Sequence, residues 1–168
     1  MTTTFGEQLI ALLPRLRRFA ISLTGARDRA DDLVQTACAR ALAAQDSYAD
    51  GTRFDSWMFR ILRNCWIDGL RRQKIEGPQS DIADHDDLRG EDGEQSVMAR
   101  MTLKTVMDAI GLLPEDQRDV LLLVCVEDFS YAETADMLGV PIGTVMSRLA
   151  RAREKIMRAT GIEKSGIR

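Results

Sequence analysis

Residues 130–159 carry the sharpest local pattern in the sequence, a short helix, a turn and a longer basic helix. Ser130 and Glu133 form a capping signature, and Gly139-Val140-Pro141 turns the chain before a helix predicted from about Ile142 to Ala159. The predicted buried stripe of this helix is Val145, Leu149, Ala152 and Ile156. With that stripe in the core, hydroxyls and cations face outward: Thr144, Ser147, Arg151 and Arg158, with Arg148 and Lys155 at the edges. Arginine binds guanine bidentately and hydroxyls bind bases or phosphates, so the pattern favours a DNA-binding helix-turn-helix over a solvated basic helix.

A second constellation lies on a helix predicted from about Asp55 to Gln73. Nearly half of the chain's aromatic residues lie on or beside this helix: Phe54, Trp57, Phe59 and Trp66. Polar side chains share the helix with them: Arg60, Arg63, Asn64, Arg71, Arg72 and Lys74. Such interleaving can follow a phosphate backbone while stacking unpaired bases, although the rings could equally pack in a small core. Asp68 and Arg72 are spaced for an ion pair within the helix.

Acidic side chains open a further predicted helix, at Asp28, Asp31 and Asp32, with Gln35 one turn later. Acids in a first turn complement the helix dipole, which explains them without any site. No apolar cleft or partner base accompanies them, and no phosphate loop or nucleophile elbow occurs. Three separated cysteines and one histidine make a poor metal site. We therefore expect no enzyme activity, no cofactor, no metal and no small-molecule substrate.

The elements that would position these residues are helices. The 168-residue chain is 45% hydrophobic but only 5% aromatic, which favours helix over a β-sandwich or barrel. Apolar stripes predict a first helix with Leu9, Leu13, Leu16, Ala20 and Leu23 buried, and a third with Met58, Ile61, Leu62 and Cys65 buried. No run approaches a membrane span and no secretion signal is visible, so we expect a cytoplasmic protein with no membrane insertion.

The net charge of −3 is unevenly distributed. Residues 1–75 hold 12 basic and 8 acidic side chains, residues 76–99 hold 1 and 8, and residues 100–168 hold 10 of each. The middle block has few apolar residues and cannot offset its ordering entropy. The prediction is an all-α chain of two small helical domains, 1–75 and 100–168, joined by an acidic flexible linker over 76–99.

Three stretches in this order and spacing, residues 28–42, 54–74 and 113–156, resemble the extracytoplasmic-function (ECF) sigma factors of bacterial RNA polymerase. The resemblance implies a first domain, called sigma region two, that binds core polymerase through Asp31, Asp32 and Gln35. It also implies that this domain reads the minus-ten promoter element with the third helix and the loop before it. The matching positions are Phe54, Trp57, Arg60, Arg63, Asn64, Asp68 and Arg71.

The same resemblance implies a second domain, sigma region four, that reads the minus-thirty-five element through Thr144, Ser147, Arg148, Arg151 and Lys155. Met146 stands where the family usually has a basic residue. The implied function is promoter-specific transcription initiation, typically for a stress-response regulon and under the control of an anti-sigma factor. Two alternatives are a sigma-like mimic that binds an anti-sigma factor and an ordinary helix-turn-helix regulator.

Overall fold

The computed structural model describes residues 2–49, 51–76 and 97–161, and side chains of 97–101 are outside that description. Every regular element in these ranges is helical, which confirms the all-α prediction. The α-helices are α1 (Phe5–Thr24), α2 (Arg27–Ala43), α3 (Phe54–Glu76), α4 (Val97–Gly111), α5 (Glu115–Leu121), α6 (Tyr131–Leu138) and α7 (Ile142–Thr160). The chain forms two compact units, Met1–Asp86 and Asp87–Arg168. Most of the predicted linker, residues 77–96, lies outside the described residues, and α4 already begins within its last three positions.

The first unit is a bundle in which α1 packs against α2 and α3, and α2 packs against α3. A capping box starts α1, because Thr4 accepts from the Glu7 amide at 3.2 Å and Glu7 accepts from the Thr4 amide at 2.8 Å. The helix ends at Gly25, whose φ of 73° suits glycine. On α2 the buried residues are small, with Ala30, Ala37 and Ala41 fully inaccessible, which lets neighbouring helices approach closely.

Both helices bury an aromatic ring that the predicted stripes left out, Phe19 in α1 and Phe59 in α3, and their buried faces differ from those stripes accordingly. Leu12 is buried in α1 and Leu13 is only half-buried. In α3 the buried residue is Phe59, whereas Ile61 is half-buried. Phe59 meets Phe19 of α1 edge to face, with 5.2 Å between ring centroids. The phase of each helix therefore follows the packing of these large rings rather than the spacing of aliphatic residues alone.

The second unit is built around α7, which packs against α4, α5 and α6. The core stripe of α7 is the predicted one, with Val145, Leu149, Ala152 and Ile156 all buried. The helical segment after α4 is divided: Pro114 is the N-cap, α5 ends at Leu121, and Leu122–Val126 form a π-helical turn. The Glu127 amide donates to the Leu122 carbonyl across five residues at 2.9 Å.

Candidate nucleic-acid interface

The exposed face of α7 presents the hydroxyls and cations singled out in the sequence. A helix with about 3.6 residues per turn brings positions i, i+3, i+4, i+7, i+11 and i+14 onto one arc. These positions are Thr144, Ser147, Arg148, Arg151, Lys155 and Arg158. The opposite arc is the core stripe, and Val145 and Ala152 are fully buried there. Ser147, Arg151 and Lys155 are exposed, and Thr144 and Arg148 are half-exposed, so the face is open to solvent.

The turn before α7 fixes the direction of this helix. Ser130 caps α6 by accepting from the Glu133 amide at 3.1 Å, while Glu133 accepts from the Ser130 amide at 3.0 Å. Gly139 ends α6 with a φ of 65°, and the Val140 amide donates to the Ala135 carbonyl. Pro141 starts α7 without a side-chain cap, which leaves first-turn amides open to an anion.

The cations of α7 differ in whether an acidic side chain already forms an ion pair with them. Arg148 Nε lies 3.4 Å from Asp116 Oδ2, and Oδ1 of the same carboxylate accepts from the Gln117 amide at 2.9 Å. Arg158 pairs with Glu154 one turn earlier on its own helix. Within the described part of the chain, Arg151 and Lys155 have no ion-pair partner. These two side chains are therefore the most available for phosphates or bases.

Two residues of the basic helix lie away from this face. Arg153 is half-buried, and its Nη2 donates to Cys125 Sγ at 3.7 Å in the π-helical turn. Met146 is 52% exposed, and its position two residues after Thr144 places it on the far flank of the helix. The methionine that replaces the usual basic residue thus leaves the Thr144–Arg151 face intact.

The outer face of α3 carries the basic and amide side chains of the second constellation. Arg60, Asn64 and Arg71 are exposed, and Arg63 is half-buried beside them on the same face. The spacing i, i+3, i+4 and i+11 aligns these four positions, on the side opposite buried Met58 and Leu62. This face could contact phosphates through Arg60 and Arg71, whose side chains are exposed to solvent.

Apart from Trp66, which is half-buried further along the helix, the aromatic residues of α3 fall into two groups. Phe59 is 1% exposed and packs on Phe19, with the Arg15 guanidinium 5.3 Å from the centre of its ring, so the core interpretation holds for this residue. Phe54 and Trp57 are half-buried in a cluster that also contains Phe5 and Tyr48. Their rings pack against other rings and leave limited surface for stacking on bases.

An ion pair between helices corrects the prediction for Asp68. Its carboxylate accepts from Arg40 Nη1 of α2 at 2.8 Å, rather than pairing with Arg72 one turn away. The hydrogen bond from Arg40 holds the pKa of the Asp68 carboxyl below its usual value. The packing of α2 on α3 decides this pairing, because it brings the Arg40 side chain within reach.

A second carboxylate network holds the start of α3. Asp55 accepts from Arg53 at 2.7 Å and from Arg15 of α1 at 3.4 Å, and it also accepts from the Ser56 amide at 2.8 Å. Burial raises the pKa of the Asp55 carboxyl, but these hydrogen bonds outweigh burial and the net shift is downward. The charged form of Asp55 therefore stabilises this helix start.

The acidic positions predicted to bind polymerase lie on α2. Asp31 accepts from Arg17 Nε of α1 at 2.8 Å, and this hydrogen bond lowers the pKa of the Asp31 carboxyl. Asp32 and Gln35 are exposed on the same helix. The structure thus leaves Asp32 and Gln35 open, whereas Asp31 is partly engaged with α1.

Two aromatic residues outside the predicted constellations contact the start of α3. Phe5 begins α1 and Tyr48 follows α2, yet both rings reach the start of α3. Phe5 lies more than 40 positions before its ring partners, and Tyr48 belongs to no helix, so neither residue is part of a periodic pattern. Only the scarcity of aromatic residues in this chain could have drawn attention to them.

No group of three or more metal-binding side chains comes together among the residues described in the structure. All three cysteines are free, and burial raises the pKa of the thiols of Cys38 and Cys65. Across the same parts of the chain, no helix has the length and apolarity needed to cross a bilayer.

Each of the two units matches a known protein family. Residues 9–75 match the family model "Sigma-70 region 2", and residues 103–156 match "Sigma-70, region 4". The first range covers most of α1 and all of α2 and nearly all of α3. The second range contains the helix-turn-helix.

Whole-chain similarities agree with these matches. The chain is 38% identical over 156 residues to the ECF RNA polymerase sigma factor EcfG of Rhodopseudomonas palustris, covering 93% of this chain and 84% of that protein. It is 33% identical to the ECF RNA polymerase sigma factor SigM of Mycobacterium tuberculosis, covering 91% of this chain and 75% of the relative.

Among solved structures, the sigma factor RpoE of Bartonella quintana, crystallised with the anti-sigma factor NepR, is similar with a TM-score of 0.80 and 32% identity. The similarity covers 97% of this chain and all of RpoE. The two family matches, the extent of these relatives and the helix-turn-helix together lead to one conclusion: the chain belongs to the ECF sigma factors of bacterial RNA polymerase.

Proposed function

We propose that the two units divide the work of this sigma factor. Residues 1–75 bind core RNA polymerase and recognise the minus-ten element, and residues 100–168 recognise the minus-thirty-five element. The chain acts on promoter DNA in the cytoplasm as an initiation factor and performs no catalysis itself. The observation that carries the proposal is the α7 face, where cations and hydroxyls occupy one arc and the core stripe occupies the other.

Arg151 is the central contact of the proposed minus-thirty-five interface. It lies between Ser147 and Lys155 on the exposed arc, and it needs no local ion pair to be broken before it binds a base. A guanidinium in a major groove can bind guanine through two hydrogen bonds, which discriminates against other bases. Thr144 and Ser147 supply hydroxyls nearer the start of the helix. Ser147 Oγ already donates to the Thr144 carbonyl at 3.1 Å, so its oxygen is left mainly as an acceptor.

The proposed minus-ten interface uses the exposed face of α3. Arg60, Arg63 and Arg71 would follow phosphates, and Asn64 offers an amide that both donates and accepts. Phe54 and Trp57 support the loop before α3 through their ring contacts with Phe5 and Tyr48. Asp32 and Gln35 on α2, with Asp31 beside them, form the proposed contact with polymerase.

An anti-sigma factor is the proposed regulator. The similarity to RpoE, whose structure contains NepR, supports a partner of that kind for this chain. Adding purified Bartonella quintana NepR to the initiation assay described below should suppress transcription, and co-elution of the two proteins should accompany this suppression.

The test of the proposed function is run-off transcription with bacterial core polymerase. A promoter is first selected from a randomised library with the wild-type protein. We expect sequence-specific initiation, and we expect Arg151→Ala to reduce initiation about tenfold or more, as the loss of a bidentate base contact predicts.

Arg158→Ala is the matched control, because it removes the same side chain from the same face near the end of α7, where Glu154 already pairs with it. We expect this variant to lose only a few-fold in activity. Binding to polymerase without initiation from any library member would contradict the proposal and favour a sigma-like mimic.

A further inference from the structure

Four aromatic rings at one end of the first unit form a closed cluster, which we name the aromatic cluster: Phe5, Tyr48, Phe54 and Trp57. All six pairs of these rings are in contact, with centroid separations from 5.2 to 6.4 Å. Such distances and the mostly edge-on angles are those that aromatic pairs prefer. The rings come from three separate segments: the start of α1, the residue after the 3₁₀ turn (Gln45–Ser47), and the first turn of α3.

The cluster is distinct from the core of its unit. Its four rings are half-buried, whereas the ring pair of Phe19 and Phe59 is almost fully buried, at 2% and 1% exposure. A half-buried cluster at the end of a bundle contributes less to folding than the central pair, because it removes less apolar surface from water. Its position suggests another role.

The segment that the cluster holds is the connection before α3, of which the structure describes residues 48–49 and 51–53. Tyr48 contributes its ring to the cluster, and its hydroxyl donates to the Thr52 carbonyl at 2.6 Å. Phe54, immediately after the segment, fixes the other end through its own ring contacts. Both ends of the connection are therefore attached to one group of side chains.

Phe5 joins this group to α1. Its backbone is set by the capping box of Thr4 and Glu7, and its ring touches each of the other three rings. Phe5 is thus the only member of the cluster that belongs to neither the connection nor α3. It ties them to an element with no proposed DNA contact of its own.

We infer that Phe5 is a positioning residue for promoter opening: through the aromatic cluster it holds Tyr48, and with it Thr52, so that these residues can engage the unpaired minus-ten strand. The inference rests on the proposed function of the first unit. It assigns to Phe5 no contact with DNA. Phe54 and Trp57 act mainly through the same cluster, since their rings are engaged by Phe5 and Tyr48.

The test compares Phe5→Leu with Phe19→Leu in the full chain bound to core polymerase. Both changes replace an aromatic ring of α1 by leucine, but only the first removes contacts to the connection. Open complexes on the promoter selected with the wild-type protein are measured by permanganate reactivity of unpaired thymines. We expect Phe5→Leu to reduce open complexes about fivefold, as the loss of several ring contacts predicts. We expect Phe19→Leu to destabilise the protein more while reducing open complexes less.

Three further measurements separate positioning from folding. Phe5→Tyr should restore open complexes, because it keeps the ring contacts. Tyr48→Phe keeps its ring but loses the bond to Thr52, so it should reduce open complexes by a smaller factor than Phe5→Leu. Binding of Phe5→Leu holoenzyme to a duplex with only the minus-thirty-five element should equal that of the wild type.

Open complexes that fall in proportion to the loss of unfolding stability in both leucine variants would overturn the inference. An unchanged level in Phe5→Leu with an active wild-type protein would also overturn it and leave the proposed function standing. A wild-type protein that opens no promoter would overturn the proposed function together with this inference.

Discussion

Helices α3 and α7 both place arginines on an exposed face above a buried stripe, yet they support that face in different ways. On α7 only Arg148 among the candidate side chains is held by another helix, through Asp116 of α5, and the apolar residues of the core stripe lie on a separate arc. At the start of α3 the candidate aromatic residues are themselves packed, and Asp55 is held by two arginines. On α7 the residues proposed to bind DNA differ from those that stabilise the fold. At the start of α3 the same side chains serve both purposes.

This difference has a physical reason. A duplex groove accepts a rigid helix, so a reading helix needs only a stable backbone and side chains free to meet the bases. An unpaired strand would be captured by the irregular connection before α3. An irregular connection keeps a defined conformation only if tertiary contacts hold it. Comparing the same kind of substitution in both regions therefore tests whether the two interfaces are built on different principles.

The largest expected contrast is in folding stability. Trp57→Ala should lower the free energy of unfolding by about 2 kcal/mol, because it removes three ring contacts and half-buried apolar surface. Arg151→Ala should change it by less than about 0.5 kcal/mol, as expected for an exposed side chain. Urea denaturation followed by far-ultraviolet circular dichroism measures both. Equal losses in the two variants would break the comparison.

The second-largest expected effect is a change in the free energy of unfolding with pH. The pKa of the Asp55 carboxyl is lowered in the folded protein, so its contribution to stability is full above the pKa of the unfolded chain. That contribution disappears as the pH falls through the lower, folded value. Wild-type stability should therefore decrease below about pH 4 more steeply than that of Asp55→Asn. Urea denaturation midpoints from pH 6 to pH 2 test this, with Asp116→Asn as the control from the second unit. Parallel curves for the wild type and Asp55→Asn would contradict the proposed role of the carboxylate.

A smaller effect is expected on DNA specificity in the second unit. Asp116 pairs with Arg148 and adds a negative charge beside the proposed DNA face. Asp116→Ala should raise affinity for non-specific duplex a few-fold and lower the ratio of specific to non-specific binding, because Arg148 loses its orientation as the repulsion is removed. Fluorescence anisotropy with selected and scrambled duplexes measures that ratio. An unchanged ratio would show that Asp116 does not orient Arg148.

The smallest effect concerns the exposed ion pair between α2 and α3. Asp68→Asn should lower the melting temperature slightly at low salt and hardly at all at high salt, since exposed pairs are screened. A double-mutant cycle with Arg40→Ala isolates the pair, and Asp32→Asn on the exposed face of α2 is the control. If Asp68→Asn still lowers the melting temperature at high salt, Asp68 stabilises the fold by more than a screened surface ion pair.

Much of the second unit follows from the sequence. The capping signature at Ser130, the glycine at 139 and the stripe from Val145 to Ile156 are local patterns, and each appears in the structure as predicted. The division of the preceding helix at Leu121 does not follow from such patterns. A π-helical turn and an α-helix share almost the same local preferences, and the surrounding packing selects between them.

The first unit was less predictable at the level of side chains. Its three helices and basic α3 face are visible in the sequence, but the burial of Phe59 and the pairing of Asp68 with Arg40 are not. Both depend on which face of one helix meets another. That choice is made by residues far apart in the chain, so no single window of sequence contains it.

By itself, the sequence determined the helical class, the family resemblance and the basic arc of α7, because helix periodicity and capping act over a few residues. The tertiary structure alone decided the aromatic cluster, the ion pairs that restrain Arg148 and Asp68, and the residues that reach solvent. Those features arise from contacts between distant segments, whose energies become available only when the helices pack.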